Sequence, residues 1–179
     1  MATQSAMSRA QIIELASEWD EAIAARDLDR LVALYTPDAV WEDPSLIAPV
    51  RGHAELRAFI AGLLAAIPDL SIRQEVVFAA DGAEQCATQW RATGTITGRL
   101  PNAAFAPTGD HVDYTGVAII SLVDGKASYV RQYPDVVALQ RQIGAMPPAG
   151  SRAERVLMRL QAVSAARRMK RNRKTIRLP

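Results

Sequence analysis

Two Asp-Gly pairs, Asp81-Gly82 and Asp124-Gly125, each join runs rich in β-branched and alternating residues, and they constrain the fold more than any other feature of the chain. Asp-Gly accepts the left-handed backbone of a tight hairpin turn, so each pair predicts two antiparallel strands. The flanking runs predict strands over 70–79, 85–97, 111–123 and 126–133, while the link 98–109, with Pro101, Pro107 and two glycines, reads as a loop or flap. Ahead of this meander the period changes to that of a helix. Ile12, Leu15, Ala16, Trp19, Ala22 and Ile23 predict a long helix over 9–27 with Ser8 as its N-cap. Leu28, Leu31, Val32 and Leu34 predict a short second helix that ends before Pro37, because proline disfavours helix in the residue preceding it. Residues 39–43 read as a short strand stopped by Pro44, and Leu56, Phe59, Ile60, Leu63 and Leu64 as the apolar face of a third helix over 53–67. A short helix over 135–143 closes the pattern, with Gly144 as its C-cap. Helices first and an antiparallel meander after them give an α+β domain with helices on one face of a sheet.

The chain of 179 residues has room for one such domain and a terminal extension. The expected organisation is an arm over 1–8, the domain over 9–146, and a linker, basic helix and tail over 147–179. Pro147-Pro148-Ala149-Gly150 is the linker, and Ala153, Val156, Leu157, Leu160 and Val163 form one narrow apolar stripe on a basic helix over 152–166, followed by a solvated tail over 167–177. Charge is divided unevenly: from Ser151 onward there are 10 Arg or Lys and a single acid, Glu154, against 11 basic residues and 18 acids before it. A tail of this kind attracts nucleic acid or an anionic membrane through its phosphates. Yet the body is net acidic and no aromatic residue follows Tyr133 to stack on bases, so the expected place of the helix is against its own domain or a second copy. The first nine residues lack the apolar run of a signal peptide, and no stretch approaches the roughly 20 apolar residues that span a bilayer, which predicts a cytoplasmic protein. Cys86 has neither a disulfide partner nor a neighbour at metal-ligand spacing and is expected to be a small buried hydrophobe in a strand.

Three stretches carry a family resemblance. The first is Ala25-Arg26-Asp27-Leu28-Asp29-Arg30-Leu31 through Leu34-Tyr35, then Pro37-Asp38-Ala39-Val40-Trp41-Glu42-Asp43-Pro44 and Arg51-Gly52-His53. It resembles the opening of ketosteroid isomerases and SnoaL-like polyketide cyclases, where helix, turn and strand form one wall of a pocket. The second, Trp90-Arg91-Ala92-Thr93-Gly94-Thr95-Ile96-Thr97-Gly98 with Pro107-Thr108-Gly109, is similar to the strand, flap and strand of the SnoaL-like branch. The third is Asp124-Gly125-Lys126, Tyr133-Pro134-Asp135 and Leu139-Gln140-Arg141-Gln142-Ile143-Gly144, similar to that branch's closing pattern. The resemblance implies a cone of the nuclear-transport-factor-2-like type: N-terminal helices on a curved, mainly antiparallel sheet, around a pocket for a small hydrophobic molecule, without metal or cofactor. It also implies a homodimer, because a second copy commonly covers the open face of such sheets.

The resemblance further implies a cofactor-independent cyclase or isomerase acting on a hydrophobic carbonyl compound. Asp43 falls where ketosteroid isomerases keep a proton-shuttling carboxylate, and a carboxylate beside apolar walls suits a base that must return its proton. Asp135 matches the closing pattern of the SnoaL-like branch and is the second acid/base candidate. Trp19, Trp41, Trp90, His111, Tyr114 and Tyr133 are the expected substrate-binding residues. The isomerase's oxyanion donors have no full counterpart: Trp19 stands at the tyrosine position, and the acid position falls among Val117, Ala118 and Ile119. Many SnoaL-like relatives carry a histidine where this chain has Ile96, a role that His111 could take from another position. Residues 129–133 resemble the closing strand of limonene epoxide hydrolase, but Gln132 stands where that enzyme has a catalytic aspartate, which disfavours epoxide hydrolysis. Each candidate has a plainer role available. Asp43 before Pro44 ends a strand in a turn, Asp135 can cap a helix, His53 can start one, and His111 can sit at an exposed strand edge. The alternative function is therefore a non-catalytic module that binds a hydrophobic ligand or a protein partner.

Overall fold

A computed structural model describes residues 7–101 and 106–175 and divides after Leu139 into two compact units. The first unit opens with α1 (Arg9–Ala25), started by a capping box in which Ser8 and Gln11 satisfy each other's backbone N–H groups. Arg26, in the left-handed conformation at φ 56°, ends it, and Asp27 caps the following α2 (Leu28–Ala33) by accepting from the Arg30 N–H. Six strands follow, interrupted by one helix: β1 (Tyr35–Glu42), β2 (Val50–Arg51), α3 (Gly52–Ala66), β3 (Ser71–Phe78), β4 (Gln85–Thr95), β5 (His111–Val123) and β6 (Lys126–Pro134). They form one sheet in the order β2-β1-β6-β5-β4-β3, antiparallel throughout except for the parallel pair β1 and β6.

The hairpin turns fall where the Asp-Gly pairs predict, with Asp124 and Gly125 both at positive φ, 48° and 77°. β1 begins earlier than the expected 39–43 and runs through Pro37. A bulge between Tyr35 and Val40 explains this, since the bulged residues need no ladder hydrogen bond from the proline. The two-residue β2 has no sequence signature of its own; its residues are strand only because they meet Val40 and Trp41.

Along β4 the side chains of Cys86, Thr88, Trp90 and Ala92 are buried, while Gln85 and Arg91 on the opposite parity are exposed. β5 continues the alternation with Val112, Gly116 and Ala118 inward. Helices α1 and α3 pack on the inward face through Ile12, Ala22, Ile23, Leu56 and Ile60. The first unit reaches into α4 (Val136–Gln142). In the second unit α5 runs over Arg152–Thr175, beyond the expected 152–166, because Arg, Lys, Met and Ala are all good helix formers and nothing after Ala166 breaks the helix. Its Val156, Leu157, Leu160 and Val163 side chains are exposed.

Candidate active site

Small side chains on the inward face of the sheet leave space that the helices do not fill. Ala92, Ala118 and Ala127 lie opposite Trp19, Phe59 and Ile60, and between these layers is a cavity of about 160 Å³. Its walls are mostly aliphatic and aromatic, and its volume resembles that of apolar cavities that accept a molecule about the size of benzene.

Among the described residues Asp43 is the only carboxylate that lines this cavity. It lies one residue past the end of β1, where Pro44 prevents further strand pairing. One carboxylate oxygen, Oδ1, accepts from the Ser45 N–H at 2.7 Å and from the Ser45 hydroxyl at 2.6 Å. This local turn holds the carboxyl group in place and leaves the second oxygen without a donor from the described residues. Asp43, Leu46 and Gln132 also line a neighbouring cleft of about 360 Å³, so they form the partition between cavity and cleft.

Trp90 and Tyr114 meet edge to face with ring centroids 5.7 Å apart. The Trp90 indole N–H donates to the Gln132 side-chain oxygen at 2.9 Å, and both residues are buried. Burial pushes the Tyr114 phenol up to about 12, with the negative charge of Asp43 acting in the same direction, so Tyr114 keeps its proton at neutral pH. Trp19 is committed elsewhere: its indole N–H donates to the Tyr35 hydroxyl at 3.0 Å, and burial holds that phenol above its ordinary range. Three further lining atoms, Trp41 Nε1, Gln74 Oε1 and Thr88 Oγ1, are buried with no hydrogen-bond partner among the described residues. A buried polar atom left unmet costs about 1–3 kcal/mol, which a polar group on a bound molecule would relieve.

Five of the eight expected site residues come together around the cavity: Trp19, Trp41, Asp43, Trp90 and Tyr114. The other three do not reach it, and strand parity and helix capping explain why. His111 and Asp113 share the outer parity of β5, whereas Val112 and Tyr114 face inward. The His111 ring instead lies 4.0 Å from Asp69 on the surface. Tyr133 is on the outer parity of β6 and borders only the neighbouring cleft, because its neighbour Gln132 takes the inward position. Asp135 is exposed, and its Oδ1 accepts from the Ala138 N–H at 2.8 Å, the bond of a helix N-cap. His53 donates from Nε2 to the Tyr35 carbonyl at 3.0 Å at the start of α3. Ile96 is buried in the cavity wall, and burial pushes the Cys86 thiol up to about 11.

Sequence reasoning missed Tyr35, Thr88 and Gln132 as polar groups of the wall. A polar residue at the inward position of an alternating strand is the signal that marks Thr88 and Gln132.

Comparison with known proteins identifies the family and the fold. Residues 16–130 match the family model of the SnoaL-like domain. A candidate SnoaL-like polyketide cyclase from Jannaschia sp. CCS1 is 26% identical, with a TM-score of 0.65 over 82% of this chain and 100% of that one. TsrD from Streptomyces laurentii has a TM-score of 0.67 at 20% identity, covering 78% of this chain and 99% of its own. An NTF2-like protein from Burkholderia xenovorans LB400 gives 0.59 at 24% identity, covering 76% and 98%. The search of curated proteins returns no relative. The architecture is that of the nuclear-transport-factor-2-like α+β fold, and with the model matched over most of its first unit the chain belongs to the SnoaL-like domain family.

Proposed function

We propose that this chain is a cytoplasmic, cofactor-independent cyclase or isomerase that binds a small hydrophobic carbonyl compound, polyketide- or steroid-like, whose reacting ring enters the cavity, and moves its protons with Asp43. The observation that carries this reading is the placement of Asp43 as the cavity's only carboxylate among the described residues, tethered by Ser45 on one oxygen and open on the other. In an apolar enclosure that oxygen can take a proton from carbon α to a carbonyl. The resulting acid can return it to another carbon, which is isomerisation. Alternatively, the enolate carbon attacks a second carbonyl of the same molecule, closing a ring as the proton passes to the new alkoxide. Family membership and the Jannaschia neighbour support the same chemistry.

A second copy of the chain is the partner we propose for the outer face of the sheet. Phe78, Ala87 and Ile119 lie in register across β3, β4 and β5, and Val76, Gln89, Val117 and Tyr133 form the adjacent rung. Phe78, Val76, Val117, Ile119 and Tyr133 are all exposed, with the Arg91 and Asp113 ion pair beside them. Such an apolar patch suits a two-fold, self-complementary contact.

The test uses β-tetralone in heavy water, with loss of its α-hydrogen signals followed by proton NMR. Accelerated exchange by the native chain and none by Asp43→Asn supports the enzyme reading. Binding of the ketone without accelerated exchange supports the non-catalytic reading, which the replacement of a histidine by Ile96 and the outward Asp135 favour.

A further inference from the structure

The cavity that holds Asp43 also contains an amide donor, on Gln132, that the proposed proton transfer does not use. An indole N–H can only donate, so the Gln132 amide must turn its oxygen toward Trp90, and the 2.9 Å bond fixes that orientation. The amide NH₂ is thereby aimed away from the ring. No described residue accepts from it, and Gln132 lines both the cavity and the cleft that Asp43 borders. The strand register agrees: Glu42 pairs with Arg131 across the parallel β1 and β6, so the next residues along the two strands are Asp43 and Gln132. Tyr114 meets the Trp90 ring edge to face and helps hold the indole in place. The Gln132 NH₂ is enclosed where a donor acts more strongly than in water.

We infer that the Gln132 side-chain NH₂ is a carbonyl-oxygen subsite, which receives the substrate's ketone oxygen and holds it as an enolate while Asp43 carries the proton. This rests on the proposed role of Asp43. The balance is simple: the α C–H pair moves into a carbon–carbon double bond, the carbonyl π pair moves onto oxygen, and the proton resides on the free oxygen of Asp43. Gln132 donates its hydrogen bond throughout and transfers no proton. Trp90 is a positioning residue that keeps the amide from rotating. Gln132, where the epoxide hydrolase has a base, thus becomes an electrophilic group.

The test is a binding measurement that needs no turnover. Asp43→Asn supplies a neutral group in place of the protonated acid that accompanies the enolate, and para-nitrophenolate, coloured only when ionised, stands for the enolate. The Asp43→Asn protein is expected to bind the phenolate more tightly than the neutral phenol. Adding Gln132→Leu is expected to weaken phenolate binding on the order of 10- to 100-fold, with little change for the neutral phenol. Gln132→Met keeps the length of the side chain and a weak sulfur acceptor for Trp90 and offers no donor, and it is expected to weaken phenolate binding as much. Equal phenolate affinity in the Gln132 variants, or no preference for the ionised form, overturns the subsite. Because ketone exchange reports on Asp43 separately, failure there with a Gln132-dependent phenolate preference removes the base and leaves the Gln132 donor.

Discussion

The indole of Trp90 and the amide of Gln132 are joined by a 2.9 Å hydrogen bond that crosses from β4 to β6, over the strand that separates them. The crossing is possible because the residue beneath the ring is Gly116. A Cβ there would overlap Trp90 Cζ2. Gly116→Ala must therefore move the indole, and the expected cost is about 1–3 kcal/mol of overpacking. Urea unfolding followed by far-UV circular dichroism measures it. The same variant should shift Trp90 fluorescence, as its N–H loses the Gln132 oxygen.

Replacement of Asp43 by Asn keeps size and the Ser45 contacts. Exchange of ketone α-hydrogens is expected to fall about 10²- to 10⁴-fold, the usual contribution of a positioned general base. The melting temperature should stay within a degree or two of the parent. A drop in rate smaller than threefold would remove Asp43 from the proton transfer.

Asp135 provides the contrast. As the N-cap of α4, bonded to the Ala138 N–H, it is expected to cost about 1 kcal/mol when changed to Ala and little when changed to Asn, which also caps. Neither variant should slow exchange. A large kinetic defect with unchanged stability would return Asp135 to the catalytic set.

On the outer face, Val117→Glu puts a charge into the rung that Val117 shares with Val76 and Tyr133. The native chain is expected to sediment as a dimer and this variant as a monomer of unchanged helix and strand content. Two equal sedimentation coefficients at the monomer value would discard the proposed interface.

Stability should also report on Asp69, whose carboxyl is held below its ordinary value by the Thr95 N–H at 2.6 Å and the Thr95 hydroxyl at 2.8 Å. The unfolded chain binds this proton more readily than the native one, so between the native and unfolded values stability rises with pH. The contribution is present above the unfolded carboxylate value and disappears as pH falls through the lowered native one. Asp69→Ala should therefore be less stable than the parent at neutral pH, with the gap narrowing in acid. A gap independent of pH would show that Thr95 gains nothing from the charge.

Strand parity explains which parts of the candidate site were readable in advance. Asp43 was legible because a carboxylate followed by proline at the end of an apolar run stands out from its neighbours, and Trp41, Trp90 and Tyr114 because aromatic residues at inward positions of a hollow domain must border the hollow. His111 and Tyr133 were misplaced by one residue of register each, enough to turn a side chain to the other face of a sheet. β5 begins with His111 outward, and β6 places Gln132 inward, so Tyr133 cannot be.

Local chemistry written in the chain determined the elements: the Ser8 and Gln11 capping box, the Asp-Gly turns and the helical spacing of α1 and α3 act over a few residues and need no distant partner. Tertiary structure alone decided which polar groups meet. The Trp90 to Gln132 bond spans 42 positions and depends on a glycine in a third strand. Periodicity reports only which face a side chain takes, whereas hydrogen bonding requires a position within a few tenths of an ångström, and that is set by how the strands are stacked side by side.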